Sequence, residues 1–425
     1  MADARITPAA AVTDELAGLL RQCVQCGLCL PHCATWLATG NEVQSPRGRL
    51  VLLQDVLDRD DQASGTVPDS FLRAFDQCIG CRACETACPS GVPFSLLQFG
   101  QERAASAVVP SSGRPRVLVP EVVLRRMDRP GFLGFLSLAG RVARGLLILF
   151  AGRTWRRRFD TAPEGAGRLV RLLGSLPEAP RTDAELLGLL DELCGGKGRP
   201  DVPAAPSIPA CGDASGPRVA FFQGCANAGL LAASSRRARE LLAAAGCRLV
   251  ESPAQDCCGA LAAHTARPGR AADLRRRNRE AFAGPLAAGA VIAVEAAGCG
   301  HELKEYGGEF GDAVTDVVAL LSRLELPVQG NVPLKVVYHD PCHARHGQGI
   351  VDEPRKLLAA VPGLQLVEPV EAEVCCGSGG AWGLRHPELS ESVGRRKAEN
   401  LAATGADLVV TANPGCLGQI ADALM

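Results

Sequence analysis

Sixteen of the 19 cysteines in this 425-residue chain fall into four groups of four. Thiolates are soft ligands for zinc and for the irons of iron–sulfur clusters. The first 14 residues show no basic segment followed by an apolar one, so we expect a reducing, cytoplasmic location where dense cysteine indicates metal binding. The groups are Cys23, Cys26, Cys29 and Cys33; Cys78, Cys81, Cys84 and Cys88; Cys225, Cys257, Cys258 and Cys299; and Cys342, Cys375, Cys376 and Cys416.

Groups one and two share the spacing C-x-x-C-x-x-C-x-x-x-C, which is typical of bacterial two-cluster ferredoxins. In this spacing, three thiolates on one tight loop bind three irons of a [4Fe–4S] cubane, and the fourth cysteine binds the other cluster. Paired zinc sites are the alternative, but zinc motifs use two separated pairs of ligands. We therefore predict two [4Fe–4S] clusters, the first held by Cys23, Cys26, Cys29 and Cys88 and the second by Cys78, Cys81, Cys84 and Cys33.

Two clusters that exchange ligands must lie close together, as in an electron relay. The sequence contains no glycine-rich dinucleotide fingerprint after a predicted strand and no recognisable flavin-binding motif. We therefore expect the chain to pass electrons for another polypeptide and to contain no catalytic residue of its own. Arg47 and Arg49 follow the first loop, where they would offset cluster charge or dock a partner; a solvated loop is the alternative.

Groups three and four belong to an internal repeat. Five segments recur in the same order at a nearly constant offset, which indicates duplication. The matched segments are 218–225 with 335–342, 239–246 with 355–362, 249–251 with 366–368, 257–259 with 375–377, and 291–299 with 408–416.

Each repeat is predicted to form strand, helix, strand, helix, strand, because short apolar runs alternate with helical segments. This order implies a parallel sheet, whose strand ends meet at one edge where open α/β sheets bind ligands. The cysteines of groups three and four follow these strands, so we expect them to converge. The predicted strands are 219–222, 249–250 and 291–294 in the first repeat, and 336–338, 366–367 and 408–411 in the second.

The predicted fold class is therefore α+β multidomain. A mostly helical, ferredoxin-like module with two [4Fe–4S] clusters is predicted at residues 1–110, and a helical connector and linker at 111–216. Two duplicated α/β (βαβαβ) cysteine-rich repeats follow, at 217–330 and 331–425. The remaining cysteines are expected to act as small apolar side chains or incidental thiols, namely Cys194, Cys211 and Cys247.

Groups three and four resemble the cysteine-rich CCG domain of heterodisulfide reductases, whose pattern is a lone Cys, then Cys-Cys-Gly, then C-x-x-C. Here Ala296 and Asn413 stand at the first position of the last pair. The resemblance makes the eight cysteines of these groups candidate ligands of an additional cluster or of zinc, with a degenerate docking fold as the alternative. His339 and His343 flank Cys342 and are further candidates, although we expect them only to form hydrogen bonds near the strand end.

The whole chain resembles the iron–sulfur subunit of bacterial glycolate oxidase (glycolate dehydrogenase). Four segments carry the resemblance: 45–49 (SPRGR), 78–92, 298–307 and 375–379 (CCGSG). The resemblance implies a complex with flavoprotein (FAD-binding) dehydrogenase subunits, which oxidise glycolate to glyoxylate. It also implies that this chain passes electrons toward a quinone-type or membrane acceptor.

Other functions remain open on the sequence. The chain is alternatively the equivalent subunit of a glycerol-3-phosphate, lactate or heterodisulfide-type oxidoreductase. A metal-binding redox sensor or scaffold is a further alternative, but a sensor needs one labile cluster rather than two with exchanged ligands. A net charge of −1 and an aromatic content of 4% argue against nucleic acid as a partner.

Residues 132–152 form the most apolar stretch, but Arg141 and Arg144 lie in its middle. Two arginines at the centre of a bilayer are costly, so the sequence argues against a transmembrane helix here. A basic amphipathic helix on the inner face of the membrane is one prediction for this stretch. A helix packed on the repeats or on a partner subunit is the alternative, and the one we favour.

Overall fold

A computed structural model describes residues 9–58, 67–106, 216–250 and 255–425, apart from 266, 327 and 329, together with a few isolated positions between 126 and 135. The predicted connector at 111–216 and the apolar stretch at 132–152 lie almost entirely outside the described residues, as do Cys194 and Cys211. No helix in the described ranges has both the length and the apolar character that crossing a bilayer requires.

The N-terminal module consists of short helices, as predicted. One of them, Asp69–Asp76, shows why: its apolar residues recur at helical spacing, and Asp69 and Arg73 complement the helix dipole at its two ends. Its buried residues Phe71 and Phe75 face the centre of the module. The helices are Ala9–Leu20, Ala34–Thr39, Pro46–Asp58, Asp69–Asp76, Ala83–Thr86 and Ser95–Ser106, with a 3-10 turn at Glu42–Gln44.

A single apolar core holds the module together. Phe71, Phe75, Leu53 and Leu96 are at most 1% exposed and pack in one cluster. Burying each such side chain stabilises the fold by roughly 1.5–3 kcal/mol. Three cysteines of the two ferredoxin-type groups pack against the edge of this core, namely Cys23, Cys84 and Cys88.

The first repeat is a four-stranded parallel sheet in the order β2-β1-β3-β4. The three predicted strands are confirmed as β1 (Arg218–Phe222), β2 (Arg248–Val250) and β3 (Val291–Val294). The sequence analysis missed β4 (Val314–Asp316), because three residues are too few to show a strand pattern. The helices are Gly224–Leu230, Ala232–Ala244, Ala260–His264, Pro268–Ala287, Ala297–Lys304, Gly308–Asp312 and Val317–Leu321.

The second repeat is a three-stranded parallel sheet in the order β6-β5-β7. Its strands are β5 (Lys335–His339), β6 (Gln365–Val367) and β7 (Leu408–Thr411), which confirms all three predictions. Because β5 lies between the other two, the segments after all three strands meet at one edge. The helices are Cys342–Gln348, Asp352–Ala359, Trp382–Arg385, Pro387–Ala402 and Pro414–Leu424.

The ferredoxin-like module docks directly on the cysteine edges of the repeats. His343 of the second repeat donates a hydrogen bond to the carbonyl oxygen of Gly80 over 3.2 Å. The Asp76 carboxylate lies 3.3 Å from the guanidinium of Arg385. Arg82 lies 3.3 Å from the carboxylate of Glu305 in the first repeat. The fold therefore brings one cluster-binding loop against both repeats.

Candidate functional site

The first cluster-binding loop reverses direction through two residues with positive φ, Gln25 and Gly27. Arg47 donates a hydrogen bond to the carbonyl oxygen of Gln25 over 3.1 Å and forms an ion pair with Glu42. A Cβ at Gly27 would lie 2.8 Å from Nη1 of Arg47, so glycine leaves the space that this arginine occupies. The half-buried Arg47 therefore braces the loop that carries the first three cysteines.

The second cluster-binding loop is brought together with Cys33 of the first. Burial raises the pKa of Cys78, Cys81 and Cys84, and the negative charge of Cys33 raises each of them further. These interactions mean that the four thiols predicted to share the second cluster lie near one another, although 44 to 50 residues lie between Cys33 and the other three. Exchange of the fourth ligand between the two loops is consistent with this geometry.

The thiols predicted for the first cluster are less enclosed. Burial raises the pKa of Cys29 to about 11, and the charges of Cys33 and Cys23 raise it as well. Cys88, the predicted fourth ligand, packs against the same core as Cys23. Cys26 is exposed, so the first cluster site reaches the protein surface while the second lies inside.

Arg49 connects the two cluster-binding loops from a fully buried position. Its guanidinium donates hydrogen bonds to the carbonyl oxygens of Ala74 (2.7 Å) and Gln44 (2.6 Å) and to Oγ1 of Thr35 (3.1 Å). It also lies 3.9 Å from Sγ of Cys33, and its charge lowers the pKa of Cys78 and Cys84. Of the two predicted roles, Arg49 therefore fits charge compensation, and being 1% exposed it is not available to dock a partner.

In the first repeat, the four thiols of group three converge as predicted. Sγ of Cys225 lies 3.4 Å from Sγ of Cys257. Hydrogen bonds to Cys257 and Cys299 raise the pKa of Cys258 well above its usual value. Tyr306 borders the site, since its hydroxyl donates a hydrogen bond to the carbonyl oxygen of Cys258 over 2.7 Å.

Group four converges at the corresponding edge of the second repeat. Sγ of Cys375 lies 3.9 Å from Sγ of Cys342, and Cys376 interacts with both Cys375 and Cys416. His339, at the end of β5, joins this group: one of its ring nitrogens and the sulfurs of Cys376 and Cys416 lie within 4.8 Å of one another.

The expectation that His339 and His343 only form hydrogen bonds is correct for one of them. His343 bonds to Gly80, as described above. The His339 side chain is 1% exposed, and neither ring nitrogen has a hydrogen-bond partner among the described residues. A buried polar group without a partner is costly, so His339 requires another explanation.

Asn413, which stands where the CCG pattern has a cysteine, connects the two repeats. Its side-chain amide donates a hydrogen bond to Sγ of Cys416 over 3.4 Å, and its Oδ1 accepts one from the backbone N–H of Gly298 over 3.2 Å. Gly298 is adjacent to Cys299, so the asparagine ties the thiol group of one repeat to that of the other.

Three histidines that the sequence analysis did not combine meet where the module and both repeats join. The His301 and His343 rings lie 4.8 Å apart, and the His264 and His343 rings 6.0 Å apart. Arg82, next to Cys81, donates a hydrogen bond to Nε2 of His301 over 3.1 Å. The sequence contains one indication that these histidines could meet: each follows a cysteine of group three or four within a few residues, after Cys258, Cys299 and Cys342.

This environment keeps the three rings neutral. Desolvation, then the charge of His343, lowers the pKa of His264 to about 4, and the same causes in the same order lower that of His301 to about 3. Desolvation also lowers the pKa of His343. The junction between the thiol groups is therefore lined by uncharged imidazoles at neutral pH.

The donor sets suit soft metals. Groups one and two offer four thiols each in ferredoxin spacing, on loops whose positive-φ residues Gln25, Gly27, Gly80 and Arg82 turn the chain tightly. Four of these thiols have raised pKa values, so a bound metal would have to displace their protons; they are Cys29, Cys78, Cys81 and Cys84. The fit supports iron–sulfur clusters in the module. In the repeats, the closest sulfur pairs lie 3.4 Å and 3.9 Å apart.

Two family descriptions match the chain. A "4Fe-4S dicluster domain" family matches residues 19–92, and a "Cysteine-rich domain" (CCG) family matches 219–304 and 336–421. The predicted iron–sulfur module and the two CCG repeats are thereby confirmed.

Relatives match over nearly the whole chain. The "Probable glycolate oxidase iron-sulfur subunit" of Bacillus subtilis is 32% identical over 95% of this chain and 88% of that protein. The "Glycolate oxidase iron-sulfur subunit" of Escherichia coli is 29% identical over 96% of this chain and 91% of that protein. A fumarate reductase (CoM/CoB) subunit of Methanothermobacter marburgensis is 36% identical over 51% of this chain and 44% of that protein. This chain belongs to the family of glycolate oxidase iron–sulfur subunits.

Proposed function

We propose that this chain is the electron-transfer subunit of a flavin-dependent glycolate dehydrogenase complex. In this proposal, flavoprotein subunits oxidise glycolate to glyoxylate, and this chain conducts the electrons toward a quinone-type acceptor. The observation that carries the proposal is the meeting of Cys33 with Cys78, Cys81 and Cys84, which supports two adjacent clusters with exchanged ligands. The bound [4Fe–4S] clusters would supply one-electron carriers.

The protein residues around the two cluster sites suggest a direction for electron flow. The loop of the first cluster exposes Cys26 together with two large apolar side chains, Val24 (68% exposed) and Leu28 (55% exposed). Exposed apolar side chains at a redox site are suited to contact with a protein partner. We propose that the flavoprotein binds here, so that electrons enter at the first cluster.

The second cluster site lies against the second repeat. Cys81 and Ile79 pack in one apolar cluster with Cys342 and Cys375. This contact supports an exit route for electrons through the repeats. It also favours a second candidate function, a heterodisulfide-type oxidoreductase in which buried thiols of the repeats take part in the chemistry. The partial match to the fumarate reductase (CoM/CoB) protein supports the same candidate.

The test is anaerobic purification from the native host, with iron counted per chain and co-purifying polypeptides identified. About eight irons and flavin-containing partners that are reduced by glycolate support the proposal. If only lactate or glycerol 3-phosphate reduces the complex, that compound is the electron donor and the assignment of glycolate is wrong. Eight irons without any flavoprotein would contradict an electron-transfer subunit and favour a sensor or scaffold.

Cysteine substitutions separate the relay from the flavin chemistry. Cys26→Ser and Cys81→Ser should each remove a cluster and abolish electron flow to a quinone analogue, while glycolate still reduces the flavin. Cys247→Ser is the matched control, because Cys247 is buried in the apolar core of the first repeat, away from all four groups. Normal quinone reduction by either cluster variant would refute the relay.

A further inference from the structure

We propose that Thr35 and Arg49 form a hydrogen-bonded relay to Sγ of Cys33, and that this relay raises the reduction potential of the second cluster. The relay goes beyond the proposed function, because it concerns how the chain sets the potential of its own electron carrier. It depends on one part of that function, the assignment of Cys33 to the second cluster.

Arg49 is a buried cation that has no anionic partner within the described ranges. It is 1% exposed, and its guanidinium donates hydrogen bonds to uncharged groups: the carbonyl oxygens of Ala74 and Gln44, the side-chain oxygen of Gln44, and Oγ1 of Thr35. A buried charge without a counter-charge is costly. A [4Fe–4S] cluster with four thiolate ligands is an anion, so a cluster held through Cys33 would supply the missing negative charge.

Thr35 connects this positive charge to the sulfur atom. Its Oγ1 lies 3.3 Å from Sγ of Cys33 and accepts a hydrogen bond from Nη2 of Arg49 over 3.1 Å. The same hydroxyl donates a hydrogen bond to the carbonyl oxygen of Gln44 over 2.9 Å. That carbonyl oxygen also accepts a hydrogen bond from Nη1 of Arg49 over 2.6 Å, so it keeps a donor when the Thr35 hydroxyl turns away.

Ligation of Cys33 reverses the direction of its contact with Thr35. The thiol carries a proton that it can donate to Oγ1, whereas a thiolate bound to iron can only accept. The Thr35 hydroxyl then donates to the sulfur, while its oxygen still accepts from the guanidinium of Arg49. Reduction by one electron adds a negative charge, which a donor at the ligand sulfur and a nearby buried cation both stabilise. The relay therefore favours the reduced form and raises the potential.

Cys88, the cysteine predicted to bind the first cluster across the module, has a different environment. Its sulfur accepts a hydrogen bond from the backbone N–H of Val92 over 3.4 Å. Near the first cluster-binding loop, the half-buried Arg47 is already paired with the carboxylate of Glu42. A change at Thr35 should therefore alter the potential of the second cluster and leave that of the first unchanged.

The experiment uses the full-length chain, purified anaerobically with its iron–sulfur clusters and without a partner subunit. Redox titration monitored by electron paramagnetic resonance gives the two midpoint potentials, and the signal that Cys81→Ser removes identifies the second cluster. Thr35→Val keeps the shape of the side chain but removes the hydroxyl. It should lower the equilibrium constant for reduction of the second cluster at least tenfold, which is about 59 mV for one electron.

Thr39→Val is the matched control in the same helix. The hydroxyl of Thr39 donates a hydrogen bond to the carbonyl oxygen of Thr35 over 2.8 Å, so its removal should change neither potential. If Thr35→Val folds poorly, Thr35→Ala and Thr35→Ser replace it, since both remove the methyl group and only serine keeps the hydroxyl. Thr35→Ser should match the wild type, and Thr35→Ala should show the lowered potential.

Three results would each overturn the relay. They are an unchanged second potential in a folded Thr35→Val variant that keeps both clusters, a shift of the first potential, and equal shifts in Thr35→Ser and Thr35→Ala. These measurements do not involve the electron donor. A complex that is reduced by a compound other than glycolate would refute the proposed function and leave the relay intact.

Discussion

Single buried charges in this chain have identifiable structural roles. Asp316 begins the helix Val317–Leu321, where its Oδ1 accepts a hydrogen bond from the N–H of Val318 over 2.8 Å. Its other oxygen has no partner within the described part of the chain. Burial raises its pKa to about 7. Backbone hydrogen bonds from Val318 and Ala319 and the charge of Lys304 oppose this rise. The residue combines a favourable helix cap with an unfavourable buried charge.

This combination predicts a pH-dependent effect of Asp316→Asn. The unfolded carboxyl ionises near pH 4 and the folded one near pH 7, so the folded state holds the extra proton between these values and wild-type stability falls as pH rises through this window. Asparagine keeps the cap without the charge. The variant should gain stability relative to wild type as pH rises from 4 to 7, and the gain should reach on the order of 4 kcal/mol at pH 8.

Urea unfolding at pH 5, 6, 7 and 8 checks this prediction. Asp312→Asn, at an exposed position of the same repeat, is the control and should show no such trend. A difference between Asp316→Asn and wild type that stays constant over this pH range would show that the charge is not the cause.

Arg49→Lys tests the buried guanidinium beside Cys33. Lysine keeps the charge but not the planar arrangement of donors, so several of the hydrogen bonds to Ala74, Gln44 and Thr35 are lost. We expect a loss of about 2–4 kcal/mol in unfolding free energy and faster loss of iron on exposure to air. Arg396→Lys, at an exposed ion pair with Glu371 in the second repeat, should cost less than about 1 kcal/mol. Equal effects of the two variants would contradict a special role for Arg49.

At the scale of elements, close packing around the Cys-Cys-Gly segment positions the thiols. Gly377 has a φ of +83°, and a Cβ there would lie 2.9 Å from the carbonyl oxygen of Ser390 and from Val393 in the helix Pro387–Ala402. Glycine therefore permits both the left-handed backbone and the close approach of this helix. The helix in turn covers Cys376 and packs against the helix that carries Cys416.

Gly377→Ala and Gly405→Ala separate backbone strain from packing. Both positions have positive φ, but a Cβ at Gly405 meets only the end of the Lys335 side chain at 3.6 Å. We expect Gly405→Ala to cost about 1–2 kcal/mol and Gly377→Ala a further 1–3 kcal/mol from overpacking. Thermal unfolding measures the difference. Similar losses of stability for both variants would show that close packing around Gly377 adds nothing to the cost of backbone strain.

At the scale of the whole molecule, the loop predicted to hold the first cluster exposes Cys26, whereas most cysteines of the two repeats are buried. The second cluster-binding loop contacts both repeats through Gly80 and Arg82, and the repeats contact each other through Asn413. Neutral imidazoles line the space where these parts join. This arrangement suits electron entry at the surface and onward transfer inside.

Val24→Asp and Leu28→Asp test the proposed entry surface. Charged side chains on this apolar loop should weaken flavoprotein binding, lowering the rate of cluster reduction by glycolate at least tenfold without loss of iron. Val370→Asp is the matched control, since Val370 is also a highly exposed valine (73%) but lies in the second repeat. Rates equal to wild type, with iron retained, would exclude this loop as the entry surface.

The sequence by itself predicted the two ferredoxin-type cysteine groups and six strands, because each depends on a few neighbouring residues: thiols at loop spacing, or apolar runs such as 291–294. It also predicted the duplication, because the same segments recur in the same order. The short β4 and the roles of Arg49, Asp316 and His339 were decided only by tertiary structure. Whether His339 forms a hydrogen bond or faces two thiols depends on which strands flank β5. Burial and convergence arise from contacts between segments tens of residues apart, and no local pattern specifies those contacts.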